Sequence, residues 1–598
     1  MEKVNNKKNK TFSYTNISKG ISLLKKKGVK QLVRKLKAKV NGPNKEYAQW
    51  FEQHKATAEE LAAQRNKHFE YAPCISIVVP LYNTPETYLK EMVESVLAQS
   101  YGNWQLCVAD GSDTASGEGK DVKPATQHIM ENYSKNDNRI VYRKLTENKG
   151  ISENTNRAYE LATGEYVAFF DHDDLIAPNC LYEIVAALND GEAADMLYTD
   201  EDKITDISAP HTDPLFKPDF SIDLLRTHNY ITHFMVVKKS LLDSVAAETG
   251  LLDSRFDGAQ DYDLTLRCVE RTKTIRHIAR VLYHWRISSA STAGDPYVKG
   301  YTDDAGFKAL SAHLNRSCRG ARAVRTDMNN IYRVEYEVTE PPRISVLIRK
   351  NDDTCTNDAK SATQVAKTGE SGLNRILEKM KRELASSQAY NIEIIQYTNI
   401  KTAVNEVEAD YILLLGESIL PASRDVVSKM LGICMRADVG AVGGKLIDAK
   451  DKVINAGLII SKEGKLIPAF EGLDKDDLGY MLRAITDANV SAVSADCMMI
   501  KKDMAKKALE NKDWCFETPE YTGAELCEYV RRAGLLVVYS ADSVWRKNVS
   551  KDTEIDRKTI EKDVVEFLVR WQQNIAKGDV YYNENLSYEK QYMLGNMK

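Results

Sequence analysis

Residues 166–178 read YVAFFDHDDLIAP. A continuous run of apolar and aromatic residues ends in three acids, Asp171, Asp173 and Asp174, and Pro178 marks a turn just beyond them. A strand that is apolar without alternation is buried on both faces, as in a sheet sandwiched between helices. The sequence upstream has the same character. CISIVVPLYN (74–83), WQLCVADGSD (104–113) and RIVYRKL (139–145) read as strands. Between them ETYLKEMVESVLAQS (86–100), ATQHIMENYSK (125–135) and ENTNRAYELAT (153–163) read as helices. This alternation predicts an α/β domain built on a mostly parallel sheet covered on both faces. Ligands of such sheets bind at the C-terminal strand ends. Asp110–Asp113 and Asp171–Asp174 both fall there.

The rest of the chain bounds what this domain belongs to. At 598 residues, 43% hydrophobic and 28% charged, it is a globular protein of about three or four domains, and collagen-like or wholly disordered readings are excluded. No apolar run approaches the ~18 residues that span a bilayer. The N-terminus has no apolar core segment, so no secretory signal is expected. Ten scattered Cys without a C-x-x-C argue against a disulfide framework or a structural zinc site and suit a reducing cytoplasm. The net charge of −4 hides a division. Residues 1–45 hold 13 Lys and one Arg against one Glu, a net +13, and the remainder is acidic. In KGISLLKKKGVKQLVRKLKAKV, Ile21, Leu24, Leu32, Leu36 and Val40 fall near one helical face. That pattern predicts a basic amphipathic helix able to lie on an anionic membrane surface; a disordered solubilising arm or a partner-docking helix is the alternative. Nucleic acid is a poorer partner, because the acidic body would repel it. EYAQWFEQHKATAEELAAQRNKHF (46–69) reads as a helical lead-in. All ten His lie between His54 and His313.

Crowded carboxylates need a cation or protons to neutralise them. For Asp171, Asp173 and Asp174 a hard divalent cation with a diphosphate is a natural solution. Asp110 ends a strand where an acid can accept hydrogen bonds from a nucleobase or ribose. FDGAQDYDLTLRCVER (256–271) enters a helix with Asp261 and Asp263 near its N-terminus. Either acid can cap that helix, and Asp261 can instead serve as a general base. VLYHWRISSAS (281–291) closes a strand with His284, a possible metal ligand, Trp285, and Arg286, a possible phosphate partner.

Taken in order, ISIVVPLYN, VADGSD, NKGISENTNRAYELATGEYVAFFDHDD, YTDEDK, FKPDFSIDLL, GAQDYDLTLR and RVLYHWR resemble family 2 glycosyltransferases of the GT-A fold over residues 74 to about 322. The whole layout resembles bacterial enzymes of O-antigen or cell-wall polysaccharide assembly. The resemblance implies that Pro80, Tyr82 and Asn83 border the nucleotide pocket and that Asp110 contacts the base. It implies that Asp171 and Asp173 form the D-x-D motif holding Mn²⁺ or Mg²⁺ and the donor diphosphate. Asp261 matches the catalytic base, and His284 a metal or diphosphate contact with Arg286 beside it. Gln260 stands where the family often has Glu. YTDEDK (198–203) is either part of the sugar pocket or a strand-end turn. The implied activity is inverting transfer of a sugar, hexosyl or deoxyhexosyl, from a nucleotide-diphosphate sugar to a hydroxyl of a growing cell-surface or lipid-linked glycan. A cytoplasmic protein, peripheral on the inner membrane face through residues 1–45, is expected. A non-catalytic glycan-binding scaffold is the alternative, opposed by the intact acids. A nucleotidyltransferase is disfavoured because PLYNTPETY replaces the Gly-rich basic loop.

An internal repeat begins near Pro341. ISVLIRKND (344–352), IEIIQYT (392–398), DYILLLGESILP (410–421), GAELCEYVRRAG (523–534) and SVWRKNVS (543–550) parallel segments of the first copy. Thr398, Gly416, Ser418, Gly523 and Val544 then replace Asp110, Asp171, Asp173, Asp261 and His284. The expected organisation is a basic tail (1–45), a helical lead-in (46–72), a catalytic GT-A domain (73–325), a degenerate GT-A-like domain (341–548) and a helical C-terminal tail (549–598). In that tail Trp571 is expected to be a core anchor.

Overall fold

A computed structural model describes residues 46–113, 124–287, 300–338, 342–349, 363–365, 391–423, 425–510, 514–548 and 555–595. The expected amphipathic helix of residues 1–45 lies outside the described residues.

The first sheet uses β1 (Ile75–Leu81), β2 (Trp104–Asp110), β3 (Ile140–Lys144), β4 (Tyr166–Phe169), β5 (Leu175–Ile176), β6 (Met196–Ile204), β7 (Thr212–Leu215), β8 (Val236–Lys238) and β9 (Ile275–Arg286). Its order is β3-β2-β1-β4-β8-β6-β9-β5, with β7 on β6. The sheet is mixed rather than mostly parallel. β3, β2, β1 and β4 run parallel, as do β6 and β9, but β8 is antiparallel to both β4 and β6. The reversal matters for function. β8 starts where β4 ends, with Val236 opposite Ala168, so the loop before β8 lies beside the acids that follow β4.

The alternating helices cover this sheet on both faces. Leu89, Met92, Val93 and Val96 of helix Glu86–Leu97 pack under one face, and Tyr262, Leu264, Leu266 and Cys268 of helix Gln260–Val269 under the other. Removing one such side chain, as in Leu266→Ala, would cost about 2–5 kcal/mol.

A hairpin of β10 (Ala321–Arg325) and β11 (Tyr332–Tyr336) leads to a second sheet. Its strands are β12 (Arg343–Arg349), β13 (Thr363–Val365), β14 (Asn391–Tyr397), β15 (Tyr411–Gly416), β16 (Ile419–Pro421), β17 (Val439–Ile447), β18 (Val453–Asn455), β21 (Ala488–Asn489), β22 (Cys497–Lys501) and β23 (Leu536–Lys547); β19 (Leu458–Ile460) and β20 (Leu466–Pro468) pair apart. The order β13-β14-β12-β15-β22-β17-β23-β16 repeats that of the first sheet. Directions repeat too, except that β13 is antiparallel to β14 whereas β3 is parallel to β2. Register makes the equivalence residue by residue. Tyr166 pairs with Ile75 and Lys238, and Tyr411 with Ile344 and Lys501. Counting on from each Tyr, Gly416 and Ser418 stand where Asp171 and Asp173 stand. Asp202 pairs with His284 and Lys445 with Val544, so Val544 occupies the place of His284.

The copies are joined by buried polar contacts. Asn489 bonds Ser221 and Asp223, and Arg436 pairs with Asp223. The C-terminal segment threads between them, Asn583 donating to Asp200 and to the Lys217 carbonyl. The lead-in forms helices Tyr47–His54 and Ala58–Arg65, the second opened by a Thr57–Glu60 capping box. Tyr47, Trp50 and Phe51 join Phe216, Tyr480 and Tyr582 in a shared apolar cluster. In helix Arg557–Ile575, Trp571 is buried and donates Nε1–H to Glu525 at 2.6 Å, as a core anchor does. Among the described residues no helix is long and apolar enough to cross a membrane.

Candidate functional site

The C-terminal edge of the first sheet gathers three loops. Asp171 follows β4, and its side chain is 44% exposed. His233, in the loop before β8, places Nε2 3.8 Å from Asp171 Oδ2. Asp261 is the second residue of helix Gln260–Val269 and accepts a hydrogen bond from Asn229 Nδ2 at 2.9 Å. Burial raises the Asp261 carboxyl above the usual carboxylate range; the His233 ring opposes this and Asp171 adds to it. The two acids and the imidazole therefore share one electrostatic site. Asp173 is also raised, first by burial, with His172 opposing.

Asp174 is pushed furthest, by burial and by Asp171 and Asp173. It accepts from Tyr283 Oη at 2.5 Å and from the Arg286 amide at 2.7 Å, which makes it the internal brace of the turn. His233 was not singled out from the sequence. Its signal lies in the strand order, because only an antiparallel β8 delivers residue 233 to this edge.

Several expected residues sit differently. His284 was expected at the metal with Asp171 and Asp173. Its Nδ1 instead lies 2.7 Å from Asp202 Oδ1, in a group with His211. Alternation along β9 explains this: Tyr283 turns to Asp174, so its neighbour turns to the other face. Arg286 was expected to meet phosphate. It is 1% exposed, pairs with Glu91 at 2.6 Å, lies over Tyr88, and donates Nε–H to the Asp173 carbonyl. It holds the acidic turn from behind.

Asp110 was expected to contact the base. Its carboxylate is fully buried and accepts from the Ser112 amide, Thr126 and Tyr142. The exposed acid of this loop is Asp113, which accepts from Tyr82 Oη at 2.9 Å and whose amide donates to Asn83 Oδ1. Asn83 takes a left-handed φ of 48°, which Asn tolerates better than most residues. Pro80 lies in β1, one residue short of its end, just below Tyr82 and Asn83. Asp263 caps nothing; it pairs with Arg267 one turn along. YTDEDK is no turn. It lies within β6, and Asp200, Glu201 and Asp202 are each buried and partnered.

The Glu201 contacts bear on the site. Glu201 Oε2 accepts from Lys217 Nζ at 2.9 Å, Thr232 Oγ1 at 2.9 Å and the His233 amide at 3.2 Å. Lys217 also donates to the carbonyls of Ile231 and His233. This buried pair fixes the loop that carries His233.

The corresponding edge of the second sheet is not empty of acids. Helix Pro519–Arg532 begins one turn before Gly523, and Glu520 is its second residue, as Asp261 is in its own helix. Asp496 precedes β22 as His233 precedes the residues leading to β8, and it pairs with Arg349 at 3.4 Å. A Cβ on Gly416 would come within 2.8 Å of Asp496 Oδ1. The glycine that replaces Asp171 therefore leaves the space that Asp496 fills.

The first domain is thus a mixed-sheet α/β domain with carboxylates clustered at the C-terminal ends of its parallel strands. Residues 76–246, within the first domain, match the family described as glycosyl transferase family 2. Over 573 residues the chain is 30% identical to the uncharacterized protein y4gI of Sinorhizobium fredii, covering 90% of this chain and 60% of that protein. Over 545 residues it is 26% identical to the O-antigen biosynthesis protein RfbC of Myxococcus xanthus, covering 89% of this chain and 41% of that protein. The chain thus spans about half the length of these relatives. Among solved structures, S. aureus TarS 1-349 aligns at 19% identity and a TM-score of 0.32, over 41% of this chain and 66% of that one.

Proposed function

We propose that the first domain transfers a sugar, with inversion, from a nucleotide-diphosphate sugar to a hydroxyl of a cell-surface or lipid-linked glycan. The observation that carries this is the convergence of Asp171, His233 and Asp261 at the C-terminal edge of a family 2 domain. RfbC, a relative named for O-antigen biosynthesis, and TuaG of Bacillus subtilis, a putative teichuronic acid glycosyltransferase 36% identical over 104 residues, support the glycan class.

In this reading Tyr82, Asn83 and Asp113 line the nucleotide end, and Asp110 holds their loop. Asp171 and His233, with Asp174 close enough to complete a three-atom ligand group, suit a divalent cation of the Mn²⁺ or Mg²⁺ type, and Asp173 adds a further carboxylate beside them. Such an ion would neutralise charge on the donor diphosphate. Asp261 removes the acceptor hydroxyl proton as that oxygen attacks the anomeric carbon; the nucleoside diphosphate leaves from the opposite face. Burial keeps Asp261 basic enough for this, and Asn229 orients it.

The second domain is read as catalytically silent, supported by Gly416 and Ser418 at the D-x-D positions and by the Arg349–Asp496 pair in the space beside them. Residues 1–45 are read as a membrane-surface contact from their charge, and a cytoplasmic location goes with them.

Calorimetry with Mn²⁺ and nucleoside diphosphates tests the binding step. Asp171→Ala and Asp173→Ala should fold and lose metal-dependent binding. Unchanged metal dependence in both variants would refute the assignment.

A further inference from the structure

β6 carries Asp202 into the interior, where its side chain has no exposure. Oδ1 lies 2.7 Å from His284 Nδ1, and Oδ2 lies 2.7 Å from both His211 Nδ1 and Tyr47 Oη. The ligand atoms of Asp202, His211 and His284 all fall within 4.8 Å of one another. Phe51 stacks on His211 at 3.8 Å between ring centroids and meets His284 edge-on at 5.5 Å, so helix Tyr47–His54 roofs the group. A cavity of about 1380 Å³ reaches it, lined by Phe51, His54, His211 and His284 among others.

We propose that Asp202, His211 and His284 form a second divalent-metal site, of the Zn²⁺ class, separate from the acids that follow β4. The donor chemistry differs between the two. Two imidazoles and one carboxylate suit a borderline ion such as Zn²⁺, whereas the aspartate cluster suits Mg²⁺ or Mn²⁺. The donor atoms already lie within reach of one ion. Zinc sits ~2.0–2.2 Å from N and O donors, so neighbouring donors of a tetrahedral site stand roughly 3.3–3.6 Å apart. The hydrogen-bonded atoms stand 2.7 Å apart, His284 on Oδ1 and His211 on Oδ2 of Asp202, and would open by roughly 0.6–0.9 Å around the ion. Tyr47 supplies the outer hydrogen bond that orients a ligating carboxylate. The cavity gives the ion a path and a position for water.

The repeat supplies an independent argument. In the second sheet the same strand pair places Lys445 opposite Val544, where the first places Asp202 opposite His284. The fold is therefore built without this group in one copy, and its presence in the other is not demanded by the architecture. The site would join the lead-in helix, β6, the turn before β7 and β9.

The test uses the full chain, stripped with a chelator and titrated without nucleotide. Calorimetry should find one tight equivalent of Zn²⁺, and Co²⁺ should give the visible absorption of a low-coordinate site. Both signals should persist in the double variant Asp171→Ala/Asp173→Ala. Both should weaken in His211→Ala and in His284→Gln by at least the ~10–100-fold that loss of even an outer-sphere partner costs. Circular dichroism checks that the variants fold, and His211, partly exposed, is the safer of the two. Absence of stoichiometric binding, binding that survives both histidine changes, or binding lost with the double aspartate variant would each overturn the proposal.

Discussion

Lys217→Met removes a buried ammonium that holds three acceptors. Lys217 has no exposure, and its Nζ reaches Glu201 Oε2 at 2.9 Å, the Ile231 carbonyl at 2.6 Å and the His233 carbonyl. Methionine fills the stem volume but leaves the Glu201 charge buried without a counter-ion. Breaking a buried pair on one side costs about 3–5 kcal/mol. Adding Glu201→Gln removes the stranded charge while keeping an acceptor for Thr232 and the His233 amide, so the double variant should regain a large part of that loss. The two substitutions should couple by more than about 1 kcal/mol.

Denaturant unfolding of wild type, both single variants and the double variant gives the cycle. Calorimetry with Mn²⁺ and nucleotide gives the functional side: Lys217→Met should weaken metal-dependent binding, because Lys217 and Glu201 fix the loop carrying His233 beside Asp171. Additive effects on stability, or loss of stability with intact metal-dependent binding, would refute the account of this loop.

Burial, and next to it Asp542, raises the Asp487 carboxyl to about 7. The unfolded chain releases this proton near the ordinary value of 3.8. Between those pH values the folded state binds more protons, so stability falls as pH rises from about 4 to about 7. Three units correspond to roughly 4 kcal/mol at most. Asp487→Asn should raise the unfolding midpoint at pH 8 far more than at pH 4; equal gains at both would refute it. Deleting residues 1–45 should reduce sedimentation with anionic liposomes and leave transfer to a soluble acceptor intact; undiminished sedimentation would assign the contact elsewhere. Glu417→Ala should leave transfer unchanged, and a lower rate would give the second domain a catalytic part.

The strands and helices of the first domain were legible because each is a long apolar run or a helical period bounded by Pro, Gly or Asn. The repeat was legible for the same reason, and strand register reproduces its alignment at Gly416, Ser418, Thr398 and Val544. What stayed hidden depended on direction and facing. β8 is three residues long, too short to carry a period, so its antiparallel course and the arrival of His233 at the site could not be read. His284 and Arg286 are assigned by motif, but in the folded chain His284 meets Asp202 and Arg286, at the end of β9, is buried behind the acidic turn. Asp110 looked like a ligand contact because it ends a strand, yet its loop consumes it. In the second copy the acids moved rather than vanished: Asp496 and Glu520 reach the site edge from positions the motif comparison does not align.

The central claim is that Asp261 is the base of a sugar transfer run at this edge. Diphosphate release from a panel of nucleotide sugars, with acceptor glycan and Mn²⁺, measures it most directly in wild type and Asp261→Asn. The account predicts turnover by wild type and a rate about 10²–10⁴-fold lower in the variant, with donor binding retained. Wild-type turnover by Asp261→Asn would contradict it.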